Sequence, residues 1–149
     1  MNDDIEGLSI TPVNDNDLLD LAELKALDDS EATQNKVSVE RALDKIMSLS
    51  NMQMYMTRMN GKPVGYWIGK EEGLDGYRSN GIFTREEFRQ MGIGEALKKS
   101  QIAYATSRGC KELYSKTRND HAKRILKSLG FNYNEGEDLY SLPLNCANS

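Results

Sequence analysis

A chain of 149 residues, 38% hydrophobic and 28% charged, has the size and composition of one globular domain that can bury a core without metals or disulfides. No run approaches the roughly 18 to 20 apolar residues of a membrane span, so no membrane association is expected. The acidic start Met1-Asn2-Asp3-Asp4-Ile5-Glu6 lacks the features of a signal peptide, so a cytoplasmic protein is expected.

Charge is divided unevenly. Residues 1–60 carry 12 acidic and 5 basic side chains, and residues 81–149 carry 8 acidic and 11 basic, within a net charge of −4. That speaks against a nucleic-acid binder, which needs a consistent positive face. It permits a site where an anionic ligand meets one half and a cationic one the other. Cys110 and Cys146, with one histidine in the chain, make neither a disulfide framework nor a zinc site, and no metal is expected. Cys110 is expected half-buried at the start of a strand, and Asn145 to Ser149 as a frayed tail.

In chain order, Leu8 to Pro12 predicts a short strand ended by proline. Asn14 or Asp15 caps a helix whose apolar series is Leu18, Leu19, Leu21, Ala22 and Leu24. Asp28 to Lys36 is polar and reads as a loop. A second helix follows over Ser38 to Ser48, with Val39, Ala42, Leu43 and Ile46 on one face. Alternation over residues 52–59, the turn Asn60-Gly61 and the run Pro63 to Ile68 predict a hairpin. Lys70 to Asp75 reads as a polar connection and Gly76 to Thr84 as the next strand.

After a charged loop at Arg85-Glu86-Glu87 comes a helix over Ile93 to Ser107, stopped at Arg108-Gly109. Ala96, Leu97, Ser100, Ala103 and Tyr104 are expected on its inner face. Glu112 to Lys116 is a strand. Asn119 or Asp120 caps a helix through Ala122, Ile125, Leu126 and Leu129, closed by Gly130, and strands follow from Phe131 and from Leu139 to Leu142. The order is that of a single mixed α/β domain over residues 1–149.

The informative segment is Arg89-Gln90-Met91-Gly92-Ile93-Gly94. Glycines leave no side chain between a ligand and the backbone amides, and the helix that follows offers unpaired N–H groups and a positive dipole end. Phosphate fits such a place. The segment lacks the Lys-Ser/Thr of a Walker loop, and its position after the fourth strand argues against a dinucleotide fingerprint.

With Phe88 before it, the segment resembles the acetyl-CoA motif of the GNAT superfamily of N-acetyltransferases, Arg/Gln-x-x-Gly-x-Gly/Ala, at Arg89, Gly92 and Gly94. Asn119, Ala122, Ile125, Gly130 and Phe131 fit a second pattern of that family, and the element order matches over nearly the whole chain. The resemblance implies a mixed α+β fold with a central, mostly antiparallel twisted sheet flanked by helices. It implies transfer of an acetyl group from acetyl-CoA to a primary amine of a small molecule or protein by direct attack. Gln90, Met91, Gly92, Ile93 and Gly94 would bind the pyrophosphate with Arg89, and Ile82, Phe83 and Thr84 would pair with the pantetheine arm. Asn119 would touch the cofactor or cap the next helix. Exposed strand edges in such a fold often support a homodimer.

One position departs from the pattern. Where the family usually has the tyrosine that protonates the leaving thiolate, this chain has Leu126, which raises the alternative of a CoA-binding regulatory or interaction module with little or no turnover. Tyr133, Tyr114, Tyr140 and His121 are the candidate replacements, Tyr133 foremost. A general base is sought among Glu71, Glu72, Asp75, Glu86 and Glu87, with Glu72 preferred. On the acceptor side, one of Tyr66 and Trp67 lines the groove while the other packs inward. Asp28, Asp29 and Glu31 favour a cationic amine.

Overall fold

The computed structural model describes residues 5–117 and 119–144. The strands are β1 (Leu8–Pro12), β2 (Gln53–Met59), β3 (Lys62–Glu72), β4 (Gly76–Thr84), β5 (Glu112–Ser115), β6 (Asn132–Asn134) and β7 (Leu139–Pro143). The helices are α1 (Leu18–Thr33), α2 (Val39–Met47), α3 (Ile93–Ser107) and α4 (Asp120–Ser128), with short 3-10 turns at Asp15–Asp17 and Glu86–Phe88. Cys146 and the rest of the expected tail, like Met1 to Asp4, lie outside the described residues.

Local chemistry sets most of these boundaries. Asn14, Ser38 and Asn119 each accept a backbone N–H as helix or turn begins. Asn60 and Gly61, both at positive φ, form the tight turn between β2 and β3. The strands make one seven-stranded sheet in the order β1-β2-β3-β4-β5-β7-β6, antiparallel everywhere except between β4 and β5.

Two cores lie on the sheet's two faces. On one, Leu21, Leu24, Ala42 and Ile46 of α1 and α2 pack on Met56, Tyr66, Ile68 and Phe83. On the other, Ile93, Leu97 and Ala105 of α3 and Leu126 of α4 pack on Trp67, Tyr77, Leu113 and Tyr140. Tyr66 and Trp67, neighbours on β3, therefore face opposite cores, and both are fully buried.

The structure corrects four expectations. Asp28 to Thr33 is helix, not loop: α1 continues until Gln34, whose left-handed backbone donates its N–H to Ser30 and ends it. β3 runs on to Glu72, so the polar segment from Lys70 is strand before it is turn. Ala103 is exposed, and the fully covered stripe of α3 contains Lys98 and Gln101. Cys110 is wholly rather than half buried and precedes β5.

Trp67 holds α3 against the sheet. Its ring stacks on Tyr55 at 4.6 Å and meets Tyr104 at 5.7 Å and Tyr77 at 6.4 Å, while Nε1 donates to Ser100 Oγ at 3.1 Å. Trp67→Ala is expected to cost about 3 to 5 kcal/mol of unfolding free energy, the range for deleting a large buried aromatic. Urea denaturation followed by circular dichroism measures it, and a loss well under about 1 kcal/mol would show that the cluster does not carry that load.

Candidate active site

The site begins where the sheet comes apart. β4 and β5 pair in parallel only from Gly76 opposite Glu112 to Arg78 opposite Tyr114. Just beyond, β4 carries an extra residue: Ile68 pairs with Gly81 and Gly69 with Ser79, so Asn80 is bulged out. A bulge adds twist and ends regular pairing, and the rest of β4 leaves β5 with its backbone edge open on that side.

The opening is a continuous groove with two parts. The inner part, about 200 Å³, lies between Ser79, Gly81 and Ile82 of β4 and Ser115, Lys116 and Thr117 at the end of β5, with Lys98, Ile125 and Leu126 below. The outer part, about 510 Å³, is walled by Ile82, Phe83, Thr84, Arg89 and Gly94 on one side and Asn119, His121 and Ala122 on the other. Asp28 of α1 borders both parts.

The glycine segment forms the mouth. Gln90 and Gly92 take positive φ, turning the chain sharply into α3, whose first-turn N–H groups have no partner inside the helix. A Cβ on Gly94 would stand 3.0 Å from Ile125 and 3.8 Å from Thr84, filling the space between the first turn of α3, the second turn of α4 and the end of β4. Arg89 braces the loop. Its Nε donates to the Thr84 carbonyl at 2.8 Å, its Nη2 pairs with Glu31 at 2.9 Å, and its guanidinium lies over the Phe83 ring.

On the α1 side, Tyr66 Oη donates to Asp28 Oδ2 at 2.5 Å. Burial pushes the Asp28 carboxyl above its ordinary value, although the Tyr66 hydrogen bond and the Lys25 charge pull the other way. Burial and the neighbouring Asp28 raise Tyr66 far above the usual phenol, so Tyr66 stays a donor. Glu31 also borders the outer groove. Asp29 does not: it joins Lys25 at 2.9 Å and Lys45 at 3.6 Å, tying α1 to α2.

Several sequence candidates stand elsewhere. Trp67 belongs wholly to the α3 core, and Tyr66 reaches the groove only through Asp28. Tyr133 is on β6, the far edge of the sheet, where it donates to Asp138 at 2.7 Å. Tyr140 is buried in the core, and Tyr114 packs beside Arg78. Glu72 lies at the opposite end of the β3–β4 hairpin and pairs with Arg78 at 2.6 Å; Glu71 pairs with Arg108. Of the proton-transfer candidates, only His121 borders the groove, at its outer part. Tyr133 and Glu72 are therefore withdrawn as catalytic candidates, because the sheet holds both away from the opening.

The residue that sequence reading missed is Lys98. It is 3% exposed, its Nζ donating to Gln101 Oε1 at 2.8 Å and Ser115 Oγ at 3.1 Å, and burial lowers its pKa to about 7. The signal available in the sequence is its spacing, four residues after Gly94 and three before Gln101, on the face that also carries Leu97 and Ala105.

The profile of the Acetyltransferase (GNAT) family matches residues 19–131. An uncharacterized N-acetyltransferase of Methanocaldococcus jannaschii is 36% identical over 89 residues, which are 54% of this chain and 39% of that protein. The chain thus spans about two fifths of the length of this curated relative. Among solved structures, a GNAT acetyltransferase of Staphylococcus aureus Mu50 superposes with a TM-score of 0.76 at 16% identity, covering 93% of this chain and 99% of that one. The enzyme AAC(6')-Iy, solved with the bisubstrate analogue CoA-S-monomethyl-acetylneamine, superposes with a TM-score of 0.67 at 19% identity, over 86% of this chain and 92% of that one. With its splayed β4–β5 pair, its glycine turn into α3 and a profile match over most of its length, the chain belongs to the GNAT family of acetyltransferases.

Proposed function

We propose that this protein transfers the acetyl group of acetyl-CoA to a primary amine of a small molecule or a protein. The observation that carries the reading is the open edge of β4, whose last residue Thr84 lies beside Gly94 at the start of α3. An extended chain with amide groups can pair with that edge as an added strand does, and a pyrophosphate fits the helix N-terminus beyond it. The cradle at Gly94, which a Cβ would fill, suits a ligand passing between α3 and α4.

In this reading the backbone from Gln90 to Gly94 holds the phosphates and Ile82, Phe83 and Thr84 hold the arm, with Asn119 at the opposite wall. When bound, acetyl-CoA supplies an acyl group activated as a thioester. The chain's own work is to place the acceptor and manage protons. Glu31 is neutralised by Arg89, so Asp28 is the acidic group that meets an incoming cationic amine. Held by Tyr66, its carboxylate orients the nitrogen and takes its proton.

Gly92→Glu puts an anion in the loop and a side chain on a backbone at φ +86°, so CoA affinity is expected to fall at least about tenfold by calorimetry. Unchanged affinity would sink the phosphate-loop assignment. Tight CoA binding with no thiol release on any amine of a panel would favour the binding-module alternative that Leu126 suggests.

Asp28→Asn is expected to lower kcat/KM for a cationic amine about 100-fold. The same variant should melt higher at neutral pH. With its folded pKa raised, the Asp28 carboxylate costs stability above that pKa, and the cost disappears as pH falls and the group takes its proton. The stability gain should therefore vanish in acid, which thermal melts across pH will test.

A further inference from the structure

Lys98 is a charge that the fold alone does not explain. It rises from the second turn of α3 into the inner groove, where a leucine would pack without cost. Both of its hydrogen-bond partners, Gln101 and Ser115, are neutral, and the Phe131 ring lies 5.5 Å from its Nζ. Among the described residues no carboxylate is within ion-pair distance of it. A buried ammonium without a counter-ion is costly, and it destabilises the fold unless it neutralises. It shares the inner groove with Leu126, the position that lacks a proton-donating hydroxyl.

We propose that Lys98 is the group that protonates the leaving sulfur, supplying from α3 what Leu126 cannot supply from α4. The proposal rests on the acetyl-transfer reading above. Across the transfer, the acceptor ammonium first passes one proton to water through Asp28, and the neutral amine then forms the new C–N bond and sheds a second proton to Asp28. The C–S bond breaks with its electron pair staying on sulfur, and the Lys98 ammonium gives that sulfur one proton. Free thiol leaves, Lys98 is left as a neutral amine, and water returns its proton while removing the one on Asp28.

Burial supports the role. An ordinary lysine near 10.5 yields its proton poorly at neutral pH, whereas one lowered to about 7 is both half charged and a competent acid. Among the described residues, the titratable groups sharing the inner groove with Lys98 are Asp28 from α1 and Lys116 after β5, with Glu31, Arg89 and His121 further out. From β4, β5 and α4 the inner groove presents Ser79, Ser115 and Leu126, all neutral. Lys98 acts protonated, so its contribution is full below about pH 7 and fades above it. Asp28 and the acceptor amine act deprotonated and move the rate in the opposite direction.

The test compares wild type with Lys98→Met and Lys98→Arg. Lys98→Met should lower kcat about 100-fold or more, leave KM for acetyl-CoA nearly unchanged, and remove the descending limb of the pH profile that starts near 7. It should melt no lower than wild type, because a buried charge is gone. A readout independent of turnover is the thiol pKa of bound CoA, followed by thiolate ultraviolet absorbance. It should lie lower in wild type than in Lys98→Met, because the thiolate holds the neighbouring ammonium charged above its own pKa of about 7. Lys98→Arg keeps a charge that is not released below about pH 12, so it should restore the low thiol pKa without restoring the limb. Equal thiol pKa values and equal pH profiles in wild type and Lys98→Met would overturn the assignment. So would an acetyl group found on Lys98 by mass spectrometry without acceptor, which would make it a nucleophile. A wild-type protein that binds CoA but releases thiol with no amine, or that fails to bind CoA, overturns the acetyl-transfer reading itself, and is detected before any variant is made.

Discussion

The parallel pairing of β4 with β5 ends after three residues on each strand, and every other feature of the site follows from that ending. Parallel neighbours need a crossover, and here the crossover is α3. A helix that returns from the end of one strand to the start of the next must begin beside the first strand's C-terminal end. The glycine turn and its unpaired amides are thus delivered to the far end of the edge that β4 leaves open beyond Arg78. The bulge at Asn80 makes the divergence abrupt rather than gradual. An open edge, an anion-binding helix terminus and a cavity between them arise from one topological event.

Such an opening weakens the middle of the sheet, and the two cores offset it from either face. Trp67 anchors α3 on one side while Tyr66, Phe83 and Ile68 receive α1 on the other. The groove's two unusual charges come from these opposite layers, Lys98 from α3 and Asp28 from α1. Lys98 is fully desolvated and Asp28 partly so, and each shifts toward its neutral form. A core selected only for stability would fill both positions with apolar side chains. In the proposed mechanism, their presence is stability given up for proton transfer.

The pieces with local signatures were legible in the sequence. β1, β4 and α3 have the predicted boundaries, because a proline, glycines and a sharp change of period mark them. The element order and the glycine turn were readable for the same reason. The end of α1 was not, since no glycine marks it: Gln34 adopts the left-handed turn, and the Lys25–Asp29 pair supports helix across a segment that reads as polar loop. Side-chain roles that depend on distant partners were also hidden. Asp28, Asp29 and Glu31 look alike in sequence, yet one meets Tyr66, one bridges α1 to α2 and one braces Arg89. Lys98 escaped notice because hydrophobic patterning assigns a lysine to solvent, and nothing local announces that Ser115, 17 residues on, will cover it.

The exchange of a tyrosine position for Leu126 and the burial of Lys98 make sense together. Desolvation acts oppositely on the two kinds of acid. It raises a phenol, as it does for Tyr66, and so makes the hydroxyl a weaker donor as the site becomes drier. It lowers an ammonium, so the same dryness makes a lysine a stronger one. Leu126 adds apolar surface to the inner groove and offers no group to solvate a charge. In that setting a phenol would be driven away from the useful range, and an ammonium is driven toward it. Leu126 therefore does more than leave a role vacant: its apolar side chain helps create the conditions in which Lys98 can fill it.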